Sequence, residues 1–63
     1  MHLLRRIERH LSRSGTPPTL FGRRAVRDPR FVFDLRNGRE PRERTVLRVC
    51  AYLDTLERQE GAR

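Results

Sequence analysis

Among the side chains with the chemistry of a nucleophile, Ser12, Ser14 and Cys50 have no histidine or acid at a spacing that would activate them. The carboxylates Asp28, Asp34, Glu40 and Glu43 are interleaved with arginines, which is the pattern of ion pairs and not of a general acid facing a general base. Cys50, His2 and His10 are the soft or imidazole ligands, and no two of them have a metal-site spacing. The expectation is therefore a non-enzyme without metal or other cofactor, in which Cys50 is a small buried apolar residue and the two histidines lie on an exposed helix without a special role. What the chain offers in quantity is cationic charge. All 15 basic side chains are arginine, 8 acids oppose them, and the net charge is +7. A guanidinium is a planar fork of five donors that fits phosphate and carboxylate in two-toothed fashion, so the chemistry expected is recognition of an anionic partner.

That charge is unevenly placed. Residues 1 to 13 carry four arginines against one acid, residues 14 to 44 carry eight against four, and residues 45 to 63 carry three against three. The positive charge thus belongs to the first two thirds of a chain of 63 residues, a length that fits one small domain. At this size only about 60% of the unfolded surface is buried on folding, and a single cysteine cannot form an internal disulfide, so compact helices or self-association must supply the stability.

A charged fraction of 37% beside a hydrophobic fraction of 35% would suit a disordered chain if the apolar residues were scattered, but they are periodic. Leu3, Leu4, Ile7 and Leu11 recur at helical spacing, as do Val46, Val49, Leu53 and Leu56. The first set predicts a helix over 2–13 with Arg5, Arg6, Glu8, Arg9 and Arg13 outward, ended by Ser14-Gly15. Thr16 before Pro17 is a cap and first-turn signal that predicts a helix over 17–26. Its inner side carries Leu20 or Phe21, Ala25 and Val26, and Gly22 is small enough to admit a close neighbour. Asp28-Pro29 repeats the start signal for a helix over 29–37, stopped at Gly38, and a last helix is expected over 42–59. Asn37-Gly38 also suits a hairpin turn, but the stretch after it has no strand pattern. No run is long enough to span a bilayer, and Arg5-Arg6 interrupts any signal-peptide core, so a cytoplasmic, nucleoid-associated protein is expected.

Two short helices joined by a tight turn and flanked by longer ones form the plan of a helix-turn-helix domain. From Thr16 to Val49, about half the chain, the sequence resembles the lambda-repressor-like family, also called Cro/C1 or Xre-type. Phe21-Gly22 and Ala25-Val26 stand at its second-helix core positions, and Val32 and Leu35 at the buried positions of its recognition helix. Leu35-Arg36-Asn37-Gly38-Arg39-Glu40-Pro41 looks like its exit loop. Val26-Arg27 stands where the family has a turn glycine, and Pro17-Pro18 replaces the usual polar start of the second helix. The resemblance implies an all-α domain of four helices, or five in the fuller version of the family. It also implies binding of double-stranded DNA in the regulation of transcription, in a bacterium or phage, with residues 29–37 in the major groove.

On that helix Arg30 is the best-placed base reader, since its fork matches guanine O6 and N7. Asp34 either accepts from a cytosine amino group or holds Arg30 as its i,i+4 partner. Of Phe31 and Phe33 at least one belongs to the core, and Phe33, if outward, would press on a thymine methyl. Asn37 resembles the family's phosphate-contacting asparagine. Arg39 and Arg42 are further phosphate clamps, with Arg23, Arg24, Arg27 and Arg36 completing the set according to the rotation of each helix. So small a domain reads only a few base pairs. A homodimer through the last helix, where Leu47, Cys50, Tyr52, Leu53 and Leu56 spread widely, or a partner such as RNA polymerase, is expected. Two other readings stay open: a small basic adaptor or inhibitor that binds an acidic protein surface, and a sequence-blind, nucleoid-type DNA binder.

Overall fold

The computed structural model describes residues 3–61, with side chains through residue 59, as four α-helices and, within that span, no strand. α1 is Leu3–Ser14, α2 Pro18–Val26, α3 Phe31–Arg36 and α4 Glu43–Gly61. α2 packs against α3 and α4, while α1 packs against α4 and α3, which leaves one shared core. The radius of gyration, 11.1 Å, is close to the roughly 10.6 Å of a compact chain of this length.

In α1, Ile7 and Leu11 are buried and Leu3 and Leu4 pack at the edge of the core, as the spacing predicts. Three side chains depart from that prediction. His10 is buried, its ring 5.9 Å from that of Phe21, because the apolar stripe of α1 is wide enough to include it. Arg6, expected in solvent, is half-buried and turned toward α4, and Glu8 is half-buried and turned toward α3. His2 lies outside the described residues. Gly15, at φ 72°, ends the helix by donating its N–H to the Leu11 carbonyl at 2.9 Å.

α2 begins one residue later than expected. Pro17, extended at φ −63° and ψ 143°, is the N-cap, Pro18 opens the helix, and no side chain caps it. The Thr16 hydroxyl is 2.7 Å from the Ser14 hydroxyl instead of on a helix N–H. Of the two inner candidates, Phe21 is the buried one and Leu20 is half-buried. The Phe21 ring also lies 5.5 Å from that of Tyr52 of α4.

The turn into α3 is tight. Gly22 is buried, and a Cβ built on it would lie 2.2 Å from the Asp28 carbonyl oxygen, a distance that no side chain tolerates. Arg27 holds the left-handed conformation at φ 59°, donating to the Arg23 carbonyl, and Asp28 N–H donates to the Gly22 carbonyl at 3.1 Å. Asp28 does not cap the helix: Arg30 is the N-cap of α3, and no side chain caps it. The Asp28 Oδ1 accepts from Arg30 N–H at 2.9 Å, Pro29 and Arg30 form a turn, and α3 proper starts at Phe31, two residues after the predicted start. α3 ends at Arg36, with Gly38 at φ 92° donating to the Leu35 carbonyl.

Phe31 and Val32 are buried, Leu35 is half-buried and Phe33 is exposed, which resolves the two phenylalanines. In α4, Val49 and Leu53 are buried, Tyr52 and Leu56 line the core edge, and Val46 is half-buried. Cys50, expected buried, is half-buried because it sits at the flank of the apolar face. Each fully buried large side chain here contributes about 1.5–3 kcal/mol. No helix among the described residues is long and apolar enough to cross a membrane.

Candidate nucleic-acid interface

The segment from α2 through α3 has two short helices folded back on each other by the Gly22–Asp28 contact, which fixes the start of α3 relative to the end of α2. Arg23 and Arg24 in the last turn of α2, Arg27 in the turn, Arg30 before α3 and Arg42 before α4 are all exposed. None of these five guanidinium groups meets a carboxylate among the described residues. The last turn of α2 also carries the negative end of the helix dipole, which makes it a favourable place for Arg23 and Arg24.

Arg30, Phe33, Asp34 and Asn37 recur at the spacing of one helical face, and Val32 and Leu35 turn the other way. Phe33 is 39% exposed, so this face carries an aromatic edge at the surface. Asp34 does not hold Arg30 as an i,i+4 partner. It is half-buried and accepts from Arg39 Nη1 at 3.0 Å, across the helix end. Arg39 is itself 72% exposed and held by this single contact. Asn37 is exposed at the helix end.

Arg36 is placed differently from the other candidates. Its Nε and Nη2 donate to the two carboxylate oxygens of Glu8 on α1, both at 2.8 Å, and its Cζ lies 5.6 Å from the centre of the Phe33 ring. The hydrogen bonds from Arg36 hold the Glu8 carboxyl below its ordinary value, and the same bonds raise Arg36. A second junction links α1 to α4: Arg6 donates to Glu57 at 3.1 Å and also to Asp54, and these bonds raise its pKa. Neither Glu8 nor the Arg6 cluster is legible as part of the site in the sequence, since the partners lie 28, 48 and 51 positions apart.

Beside α3, a cavity of about 360 Å³ opens between the α2–α3 turn and the exit loop, with Val26, Phe31, Leu35 and Pro41 among its walls and Asp34 and Arg39 at the same site. Among the described residues no three side chains of metal-ligating type converge. On α4, Leu47 is 63% exposed and carries no packing load. Comparison with protein-family models, curated proteins and solved structures finds no match for this chain.

Proposed function

We propose that this protein binds double-stranded DNA sequence-specifically, with the 29–37 segment in the major groove, and acts as a regulator of transcription. One observation carries the reading. Two short helices, locked by a backbone approach that only glycine permits, present an exposed Arg30–Phe33–Asn37 face beside arginines that no acid among the described residues neutralises. A six-residue helix fits within a groove about 12 Å wide, and its exposed face reaches base edges while the flanking cations take phosphates. The register of Val32, Leu35 and the Asn37-Gly38 exit loop, in which it resembles the lambda-repressor-like family, supports the same conclusion.

In this reading Arg30 reads a guanine and Phe33 meets a thymine methyl. Arg23, Arg24, Arg27, Asn37, Arg39 and Arg42 contact phosphate, and Arg36 stays with Glu8. Asp34 serves the fold through Arg39 and leaves base reading to its neighbours. If Arg23, Arg24, Arg27, Arg39 and Arg42 each neutralise one phosphate, log K falls against log salt with a slope of about −4 to −5. Self-association through α4, which would set two such faces on two half-sites, would rest on Leu47, since Leu53 is buried and Tyr52 and Leu56 pack against the core of the same chain.

The test is selection from random duplexes by the purified protein, followed by titration of the selected duplex and a scrambled one at two salt concentrations. A defined motif, preferred by about 1,000-fold or more, is the expected result. Tight, salt-sensitive binding without a motif would replace this reading with a nucleoid-type role. No binding at 50 mM salt, a bound set by the steep salt dependence of such complexes at roughly that level, would transfer the basic face to an acidic protein partner.

A further inference from the structure

We infer that Glu8, a residue of α1 outside the DNA-facing segment, sets the specificity of binding by withholding Arg36 from the phosphate backbone. The inference rests on the DNA-binding reading above and adds to it a residue that acts against indiscriminate affinity. Arg36 stands at the C-terminal end of α3, where an arginine would by default be one more phosphate clamp. It is instead held by two partners. Glu8 takes Nε and Nη2 in a two-toothed pair with both distances at 2.8 Å, and the Phe33 ring lies 5.6 Å from the guanidinium carbon. The carboxylate is presented by a helix anchored through Ile7, fully buried, so it does not follow the arginine outward. The two side chains are each only 40% exposed. Arg39 is the contrast on the same helix end: one contact to Asp34 and 72% exposure leave it able to swing to a phosphate.

This arrangement has two effects on recognition. A guanidinium committed to Glu8 contributes no counterion release, so binding to arbitrary sequence is weaker than the arginine content would give. The same guanidinium backs the Phe33 ring, which holds that ring in one orientation on the face that reads bases. Glu8 is therefore a positioning residue: it acts through Arg36 and touches no base or phosphate.

The experiment compares the wild-type chain with Glu8→Gln, Arg36→Gln and the double variant on the selected and scrambled duplexes, across a salt series, with circular dichroism to verify that each is folded. Glu8→Gln is expected to steepen the salt slope by about 0.9 and to tighten binding to the scrambled duplex roughly eightfold at 0.1 M salt, the gain from one added phosphate contact. The selected duplex gains less because Phe33 loses its backing, so the ratio between the two affinities falls. Arg36→Gln in the otherwise wild-type chain keeps the wild-type slope, and the double variant returns to it. An unchanged slope in folded Glu8→Gln overturns the inference. So does a flatter slope in Arg36→Gln, which would place Arg36 on phosphate already, and that variant serves if Glu8→Gln does not fold. Failure of the wild-type chain to bind any duplex is the separate result that overturns the DNA-binding reading itself.

Discussion

Replacing Gly22 with alanine tests the geometry on which the whole candidate interface depends. The new Cβ would stand 2.2 Å from the Asp28 carbonyl oxygen and 3.3 Å from the Phe31 Cβ, so the turn must retreat by about 1 Å to reach ordinary contact. That retreat strains the hydrogen bonds from Asp28 N–H to the Gly22 carbonyl at 3.1 Å and from Phe31 N–H to the Asp28 carbonyl at 3.2 Å. Overpacking of this kind costs about 1–3 kcal/mol, and two weakened hydrogen bonds cost roughly 1 kcal/mol each. Alanine offsets about 1 kcal/mol through its better helix propensity, so the net loss is about 2–4 kcal/mol. A domain of this length has a total stability of only about 3–9 kcal/mol. The melting temperature, followed by circular dichroism, should fall by about 10–25 °C. Gly38→Ala is the control, because Gly38 sits at φ 92° with nothing within 4 Å of a Cβ, so that only backbone strain of about 1 kcal/mol applies. A Gly22→Ala protein that melts with the wild type, or a Gly38→Ala protein that loses as much, would refute the close approach of α2 to the turn.

Three other outcomes are expected. Arg27→Gly relieves left-handed strain of about 1–2 kcal/mol and gives back about 0.4–1 kcal/mol through the more flexible unfolded chain, so it should raise stability slightly in urea titration. In the same protein the DNA salt slope should flatten by about 0.9, and a protein that is destabilised would contradict the strain. The Glu8 carboxyl is lowered by Arg36 from an ordinary value of 4.5, so the stability from this pair is fully present above that pH and is lost as pH falls through the lowered value. The difference in melting temperature between wild type and Glu8→Gln should accordingly persist at pH 5 and 7 and close only on acidification below about 4.5; a gap that closes near neutrality would assign it elsewhere. Arg30→Ala should cost about 1–3 kcal/mol on the selected duplex and flatten the preference at one base pair, whereas an equal loss on every sequence would make Arg30 a phosphate contact.

The four helices, their order and most of their core were legible because apolar spacing and proline carry local information. The start signals at Thr16-Pro17 and Asp28-Pro29 lay within two residues of the real starts. They were displaced because each polar side chain found a partner outside the helix: Thr16 on Ser14, and Asp28 on the N–H of Arg30. The spacing places Val32 and Leu35 on the inner side, and Phe31 joins them there, while Phe33 faces out. What periodicity could not give was the partner of a side chain at the boundary of a stripe. Arg6, Glu8 and His10 all flank the apolar face of α1, and their fate depends on which helix lies beside them. The same limit applies to Arg36, whose rotation on a short helix decides between a phosphate and Glu8. The left-handed Arg27 was hidden for another reason, since nothing in an arginine announces a conformation that glycine usually supplies.

The placement of the acids explains how so cationic a chain folds while leaving one edge charged. With a net charge of +7, self-repulsion works against the compact state, and four of the eight acids stand where elements meet. Glu8 joins α1 to α3, Asp54 and Glu57 join α4 to α1, and Asp34 joins α3 to the exit loop. These exposed pairs add little energy individually, and they differ in grip: Glu8 takes Arg36 by two hydrogen bonds, whereas Asp34 takes Arg39 by one. The α2–α3 turn has a single acid, Asp28, which accepts from the Arg30 N–H, keeps its charge, and pairs with none of the four guanidinium groups around it among the described residues. Arg23, Arg24, Arg27 and Arg30 are therefore left to repel one another across a rigid turn. An anionic partner relieves that repulsion in proportion to how many of them it reaches at once. A duplex, with a negative charge about every 1.7 Å of axis, offers several such charges together.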